Sequence, residues 1–373
     1  MNILILNWRD LRHPLSGGAE ISLLEHAKYW VQKGAKVTWF ASSFTGGKER
    51  EIIDGIHIIR KGSMFTVHIH ALFYYFQNFR EIDIIFDNFH FIPFFSPLYA
   101  RNKAIVAFIN EPAREAWFKN GNIIIGTIGY ILEPLFFLPY VKVPLLTGSD
   151  SIAAELLHYN VKKKLLSVVP HGMNVSPLKG DPKKSTYPVI IYLGQLAKDK
   201  GIEDALESFV LLKKVVPKAR LWIVGKPSSE KYLQRIQNLI RNMHLKDDST
   251  LFGYVTESRK NQLLEKAWVL IHPSIREGWG LNILEANSFG TPAVGYNISG
   301  LKDSIQDKKT GIITDKNTPY ELSKEIISLL QDKKKYATLS RQARIFAKKF
   351  RWDKSGRLSW KIVKKTYESY KDK

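Results

Sequence analysis

Residues 273–300 read PSIREGWGLNILEANSFGTPAVGYNISG, directly after a short β-branched run, Val269 to His272. A buried strand followed by a glycine-rich turn and an apolar helical run is a βα connection, the repeating step of a parallel sheet. Within it Glu277 and Glu285 are separated by seven residues, and Gly278 and Gly280 stand just ahead of the helix. Glycines let backbone N–H groups approach a ligand closely, and a helix starting near Leu281 turns its positive end toward the same spot. The combination reads as a phosphate and sugar cradle. Glu277, in the loop, is placed to accept sugar hydroxyls, and Glu285, about one turn into the helix, to take both hydroxyls of a ribose.

Outward from this stretch the same alternation fills the chain. Strands are expected at Ile3–Leu6, Lys36–Ala41, Ile56–Arg60, Ile82–Phe86, Ala104–Ile109, Val143–Thr147 and Leu166–Val169. After a break they resume at Val189–Leu193, Arg220–Val224, Thr250–Phe252, Val269–His272 and Ala293–Tyr296. Helices fit between most of them, as in Ala19–Lys33, which Gly34 stops. The break, 173–188, carries three Pro and no periodicity and is expected to be a linker between domains 1–172 and 189–350. The basic helical end, with 351–373 as its last helix, completes the chain. The fold class is α/β, two Rossmann-like βαβ domains, with ligands expected at the carboxyl ends of the strands in a cleft between the domains.

The block 273–301 resembles the retaining glycosyltransferases of the large family four, which have the GT-B fold. The resemblance is carried by Glu277 and Glu285 at their spacing, the Gly-Trp-Gly-Leu core (Gly278, Trp279, Gly280, Leu281), and Gly290-Thr291-Pro292 and Gly300-Leu301. It extends to Ser16-Gly17-Gly18-Ala19-Glu20, to Gly194–Gly201 (GQLAKDKG), to Gly148–Ser151 and VPHGMN at 169–174, and to Trp352. It implies an acceptor-binding domain over 1–172, a nucleotide-sugar-binding domain over 189–350, and a helix, 351–373, crossing back to the first. The residues implied at the donor are Gly17, Gly18, Gly194, Gln195, Lys200, Glu277, Gly278, Trp279, Gly280, Leu281 and Glu285. Lys200 would stabilise the departing diphosphate, Glu277 would orient the sugar and Glu285 the ribose. Two positions depart from the pattern. Relatives usually carry Arg where this chain has Gln195, which keeps a donor but loses the charge and the fork. Many carry a His at the end of a first-domain strand, where this chain has Asn110-Glu111-Pro112. Asn110 could hydrogen-bond the donor sugar, and Glu111 could act as an acceptor-side base or partner Arg114; His90 is a further candidate.

Composition narrows the alternatives. The chain has 373 residues, 45% hydrophobic and 24% charged, with 56 Lys and Arg against 35 Asp and Glu, a formal charge of +21. An anionic partner is expected. No Cys is present, so thiolate catalysis and disulfides are excluded, and the short apolar start at Met1 is expected to be a strand rather than a signal peptide. There is no Asp-x-Asp, Walker lysine motif or Gly-x-Ser-x-Gly elbow; His68 and His70, expected on one strand face, lack a third ligand. No metal and no cofactor is expected, the nucleoside diphosphate sugar being a co-substrate. Residues 122–141 are about as long as a bilayer is thick, but Glu133, Pro134 and Pro139 favour a buried or interfacial helix over a span. With the apolar stretch 64–79 and the basic charge, this suits peripheral contact with an anionic membrane, a lipid-linked acceptor and a cytoplasmic place at its inner face. Nucleic acid fits less well, because the Lys residues are dispersed. Three functions stay open on the sequence: transfer of a sugar to a glycan or lipid-linked glycan, nucleotide-sugar epimerisation or hydrolysis, and non-catalytic membrane or nucleic-acid binding with a degenerate donor site.

Overall fold

The computed structural model describes residues 1–89, 91–120, 123–173, 178 and 180–372. The chain divides into two compact units, one formed by 1–172 with the C-terminal stretch from Arg351, the other by 173–350.

The first unit is built on an eight-stranded sheet. Its strands are β1 (Asn2–Leu6), β2 (Lys36–Ala41), β3 (Arg50–Ile53), β4 (Ile56–Arg60), β5 (Ile84–Phe89), β6 (Ala104–Ile109), β7 (Leu145–Thr147) and β8 (Leu166–Val168). They lie in the order β3-β4-β2-β1-β5-β6-β7-β8, parallel except for the β3–β4 pair. The order reverses between β1 and β5. Runs such as AIVAFI in β6 are apolar throughout because both faces of a parallel sheet are covered. One face carries Leu23, Trp30 and Val363 from the helices Gly18–Gln32 and Trp352–Lys371. The other carries Val67, Tyr75, Phe137 and Tyr140 from the helix Val67–Asn78 and the 3-10 turn Glu133–Tyr140.

The second unit holds β9 (Val189–Leu193), β10 (Arg220–Val224), β11 (Ser249–Gly253), β12 (Val269–His272), β13 (Ala293–Gly295) and β14 (Gly311–Ile313). Their order is β11-β10-β9-β12-β13-β14, with every pair parallel. The chain winds outward from β9 in one direction, then returns to its other side at β12, with Val269 beside Ile190. A doubly wound sheet opens a crevice where its order reverses, here beyond the carboxyl ends of β9 and β12. This unit is a complete doubly wound α/β sheet by itself.

Several expectations are corrected. β5 runs to Phe89, two residues later at its start than expected, so Asp87 and Asn88 lie within it. β3 and β14 were not expected from sequence. His68 and His70 sit in the first turn of a helix, not on a strand, because parallel strands β4 and β5 need a crossover connection. His68 stacks on Phe94 at 4.5 Å, and among the described residues no three His, Asp or Glu converge as metal ligands. The stretch 123–140 is not one helix: an α-helix, Ile123–Leu132, passes into a 3-10 turn at Glu133. His90 and Asn174 lie outside the described residues.

Candidate active site

The loop after β9 and the loop after β12 meet in the second unit. Leaving β9, Gly194 donates its N–H to the Val224 carbonyl, and Leu196 to that of Lys226, so this stretch is tied to the neighbouring strand end. Gly194 therefore offers space rather than an amide: a Cβ there would have nothing nearer than 3.8 Å. The Gln195 carbonyl accepts the buried Tyr192 hydroxyl at 2.8 Å. A 3-10 turn, Lys198–Lys200, then delivers the lysine, and the helix Ile202–Val215 begins behind Gly201. A Cβ at Gly201 would overlap the Pro273 carbonyl, and Ile275 donates its N–H to Asp199 O at 3.0 Å. The two loops are thus joined backbone to backbone at the point where the sheet order reverses.

Across that junction Lys200 Nζ donates to Glu277 Oε2 at 2.8 Å. Burial pushes the Glu277 carboxyl up, but the Lys200 charge, His272 and hydrogen bonds from Lys200 and the Gly280 N–H outweigh it and hold the group below the usual carboxylate range. It is an oriented carboxylate. The loop owes its course to Gly300, which has a left-handed φ of +81° and packs where a Cβ would overlap the Glu277 and Gly278 carbonyls. Gly280, also left-handed, caps the helix Leu281–Ser288, whose first turn carries half-buried Leu281.

Two side chains that the sequence reading passed over complete the frame. Asn282 links the ends of β9 and β12, donating its amide to the Leu193 carbonyl and meeting His272 Nε2 through Oδ1 at 3.1 Å. Burial pulls the His272 imidazole down, Glu277 pushes it up and Lys200 pulls it down again; it lies below its ordinary value and is neutral near pH 7. His272 closes its strand before Pro273, a position readable in sequence; Asn282's partner, 89 residues away, was not. Glu285 is paired with Lys260 at 2.8 Å, on the helix Glu257–Lys266. Its carboxyl is raised, by burial first, with Lys260 opposing. The two glutamates thus have one lysine each. The Trp279 indole is packed with Leu284 and Phe346 and meets the Phe350 ring at 5.3 Å, so this side chain anchors the loop from behind.

The remaining candidates belong to the first unit. Gly17 caps the helix Gly18–Gln32 and donates its N–H to Glu20 Oε2 at 2.8 Å. Glu20 is fully buried and held by Arg9, so the amides left to a ligand there are those of the helix's first turn, from Gly18 on. Asn110 and Glu111, both half-buried, follow β6, two strands from β1 on the same sheet edge. The Asn110 amide nitrogen is buried with no hydrogen-bond partner among the described residues. Arg114, beyond them, donates to the Tyr130 hydroxyl at 2.6 Å.

Comparison with known families agrees with this geometry. Glycosyltransferase Family 4 matches residues 16–176, and Glycosyl transferases group 1 matches 178–346. The chain belongs to the family-4 glycosyltransferases. It is 32% identical over 184 residues to the poly(glycerol-phosphate) alpha-glucosyltransferase of Bacillus subtilis, a match covering 48% of this chain and only 26% of that protein's length. Among solved structures, sucrose-phosphate synthase from Thermosynechococcus elongatus superposes with a TM-score of 0.81 at 17% identity, over 99% of both chains. Anabaena Alr3699/HepE, solved in complex with UDP-glucose, does so with 0.74 at 17% identity, over 98% of this chain and 100% of the other. Two parallel-sheet α/β domains of the GT-B type are the fold of this chain.

Proposed function

We propose that this chain transfers a sugar from a nucleoside diphosphate sugar to a hydroxyl of a glycan or lipid-linked glycan, with retention of anomeric configuration and without a metal. The observation that carries the reading is the Lys200–Glu277 pair at the β9/β12 crevice, framed by Gly194, the first turn of the helix 281–288 and the neutral His272. Lys200 supplies positive charge to the diphosphate as its bond to the anomeric carbon breaks. Placing fixed charge where charge develops is the largest single term in many such reactions. Glu277 orients the sugar hydroxyls, and Glu285, held by Lys260, the ribose. The acceptor oxygen bonds to the anomeric carbon on the face the leaving group departs from, and its proton goes to the departing diphosphate. Asn110, whose amide nitrogen has no hydrogen-bond partner among the described residues, and Glu111 are the first-unit candidates for contacts with the sugar and the acceptor. The UDP-glucose complex of a fold neighbour supports a nucleotide sugar as donor, and a cytoplasmic place at the inner face of the membrane is part of the same proposal.

The test is incorporation of labelled sugar from UDP-, GDP-, ADP- or dTDP-sugars into a glycan and lipid extract, with no metal added. Transfer from one donor, lost in Lys200→Ala and in Glu277→Ala while both melt like the parent, is expected. Near-normal transfer in either variant contradicts the assignment. Epimerised or free sugar in place of labelled acceptor would favour the epimerase or hydrolase reading.

A further inference from the structure

The first unit carries a surface whose polarity is inverted. In the stretch 123–140, Ile124, Ile128, Ile131, Leu135 and Leu138 recur at three- and four-residue spacing and are 50–72% exposed. Only 28% of the stretch is buried. Its single carboxylate points the other way: Glu133 is 2% exposed and accepts the backbone N–H groups of Ala113 and Arg114. The opposite side of the helix is taken up too. Gly126 and Gly129 lie where a Cβ would overlap the rings of Phe118 and Trp117, so those rings pack on bare helix backbone. A helix resting on a soluble core turns apolar residues in and charge out. This one does the reverse, and its inner side is already filled.

The inversion continues along a second element. On the helix 67–78, Ile69, Phe73 and Phe76 are 55–59% exposed, and Phe65 ahead of it is 82% exposed. The two elements are joined: His68 contacts the Ile92 carbonyl at 3.3 Å, Phe91 packs edge-on to Trp117 at 5.2 Å, and Phe95 to Phe136 at 5.7 Å. Across 61–142 the charge leans basic: Lys61, Arg80, Arg101, Lys103, Arg114, Lys119 and Lys142 stand against Glu81, Asp83, Glu111 and Glu115, while Asp87 and Glu133 are buried.

From this juxtaposition we propose that the outward face of 123–140 and 67–78 seats the protein on an anionic lipid bilayer, its aliphatic stripe dipping below the headgroups and its basic residues meeting them. Glu133 fastens the segment to the fold at its middle, and the α-to-3-10 change there interrupts it, so it lies in the interface and does not cross. A second copy of this chain is a poorer occupant, because two such faces would bring like charge together around an apolar centre.

The experiment is co-sedimentation of the full chain with phosphatidylcholine vesicles, pure or with about a third phosphatidylglycerol. The parent is expected to pellet with anionic vesicles, more weakly with neutral ones, and the Ile128→Glu/Ile131→Glu variant to bind anionic vesicles about tenfold less or worse. Leu135→Glu, a turn farther along the stripe, gives a smaller loss in the same direction. All three positions are exposed, so melting temperatures stay with the parent. A parent left in the supernatant with anionic vesicles, or variants that pellet equally, would overturn the proposal. So would a parent dimer in solution that Ile128→Glu/Ile131→Glu converts to monomer. No nucleotide sugar takes part, so this result stands apart from the donor assignment.

Discussion

The two units share a doubly wound parallel sheet and place their charges in opposite ways. In the first, the buried acids are structural pins. Asp10 accepts from Arg60 at 2.6 Å, and Asp87 from Ser96 and Tyr140. Glu20 holds the cap at Gly17, and Glu133 the start of the 114–120 turn. What this unit turns outward over 64–138 is largely aliphatic and aromatic. In the second, Lys200–Glu277 and Lys260–Glu285 stand at the loop and helix start beyond the sheet, with 13–26% of each side chain exposed. The same framework therefore yields a polar, charge-bearing rim in one unit and an apolar, basic-edged flank in the other. Fold alone does not fix what a Rossmann-like unit recognises; the side chains at its loops do.

The sharpest way to break this contrast is to remove the charge pair. Lys200→Ala or Glu277→Ala is expected to lower transfer about 100- to 1,000-fold, measured as initial rate at saturating donor. A loss confined to KM would mean that the pair only binds. Next comes Gly300→Ala, which forces the Glu277 loop aside and is expected to cost about 10- to 100-fold in rate. Gly17→Ala is its counterpart in the first unit: a Cβ there meets nothing within 4 Å, so stability should stay within about 0.5 kcal/mol of the parent. Equal rate losses in these two variants would erase the asymmetry between units. Glu133→Ala should leave nucleotide binding intact and destabilise the first unit by about 2–4 kcal/mol, because it strands the buried N–H of Ala113 and the part-buried one of Arg114. Chemical denaturation followed with and without nucleotide separates the two effects.

The smallest effect expected is a pH slope. Lys184 Nζ donates to the Phe289 carbonyl at 3.1 Å and to Thr291 Oγ1 at 2.6 Å, and burial pulls its pKa down to about 7. The unfolded chain keeps this proton to far higher pH, so it binds more protons than the folded chain above about pH 7, and stability rises with pH across that window. Calorimetry of Lys184→Met between pH 7 and 9 should show that contribution gone, and an unchanged slope would mean that folding does not pull the amine's pKa down.

Central strands were readable because each is an unbroken β-branched run between turn residues. β2, β4, β6, β9, β10 and β12 begin and end where the sequence places them. β3 was missed because an edge strand needs no continuous apolar run: Arg50 and Ile52 face out. β14 has only three residues. The alternation His-Ile-His misled because a two-residue period means a strand only if the topology allows one. At the site, spacing along one loop was legible, as with Glu277, Gly278 and Gly280. Partners brought in by other elements were not. Nothing local says that Lys260 meets Glu285 or that Asn282 reaches Leu193, since sheet order makes those contacts. The apolar run 122–141 was legible as apolar, but which of its residues face out depends on where Gly126 and Gly129 admit two rings.

The central claim is that the β9/β12 crevice of the second unit is the nucleotide-sugar site and that Lys200 holds its diphosphate. Melting of the full chain with UDP, GDP, ADP and dTDP, without metal, tests it most directly, alongside Lys200→Ala. A ligand at a hundred times its dissociation constant stabilises the native state by about 2.7 kcal/mol, a shift of a few degrees. The account predicts that one nucleotide stands out and that its shift disappears in Lys200→Ala. No shift with any nucleotide, or the same shift in the variant, would contradict it.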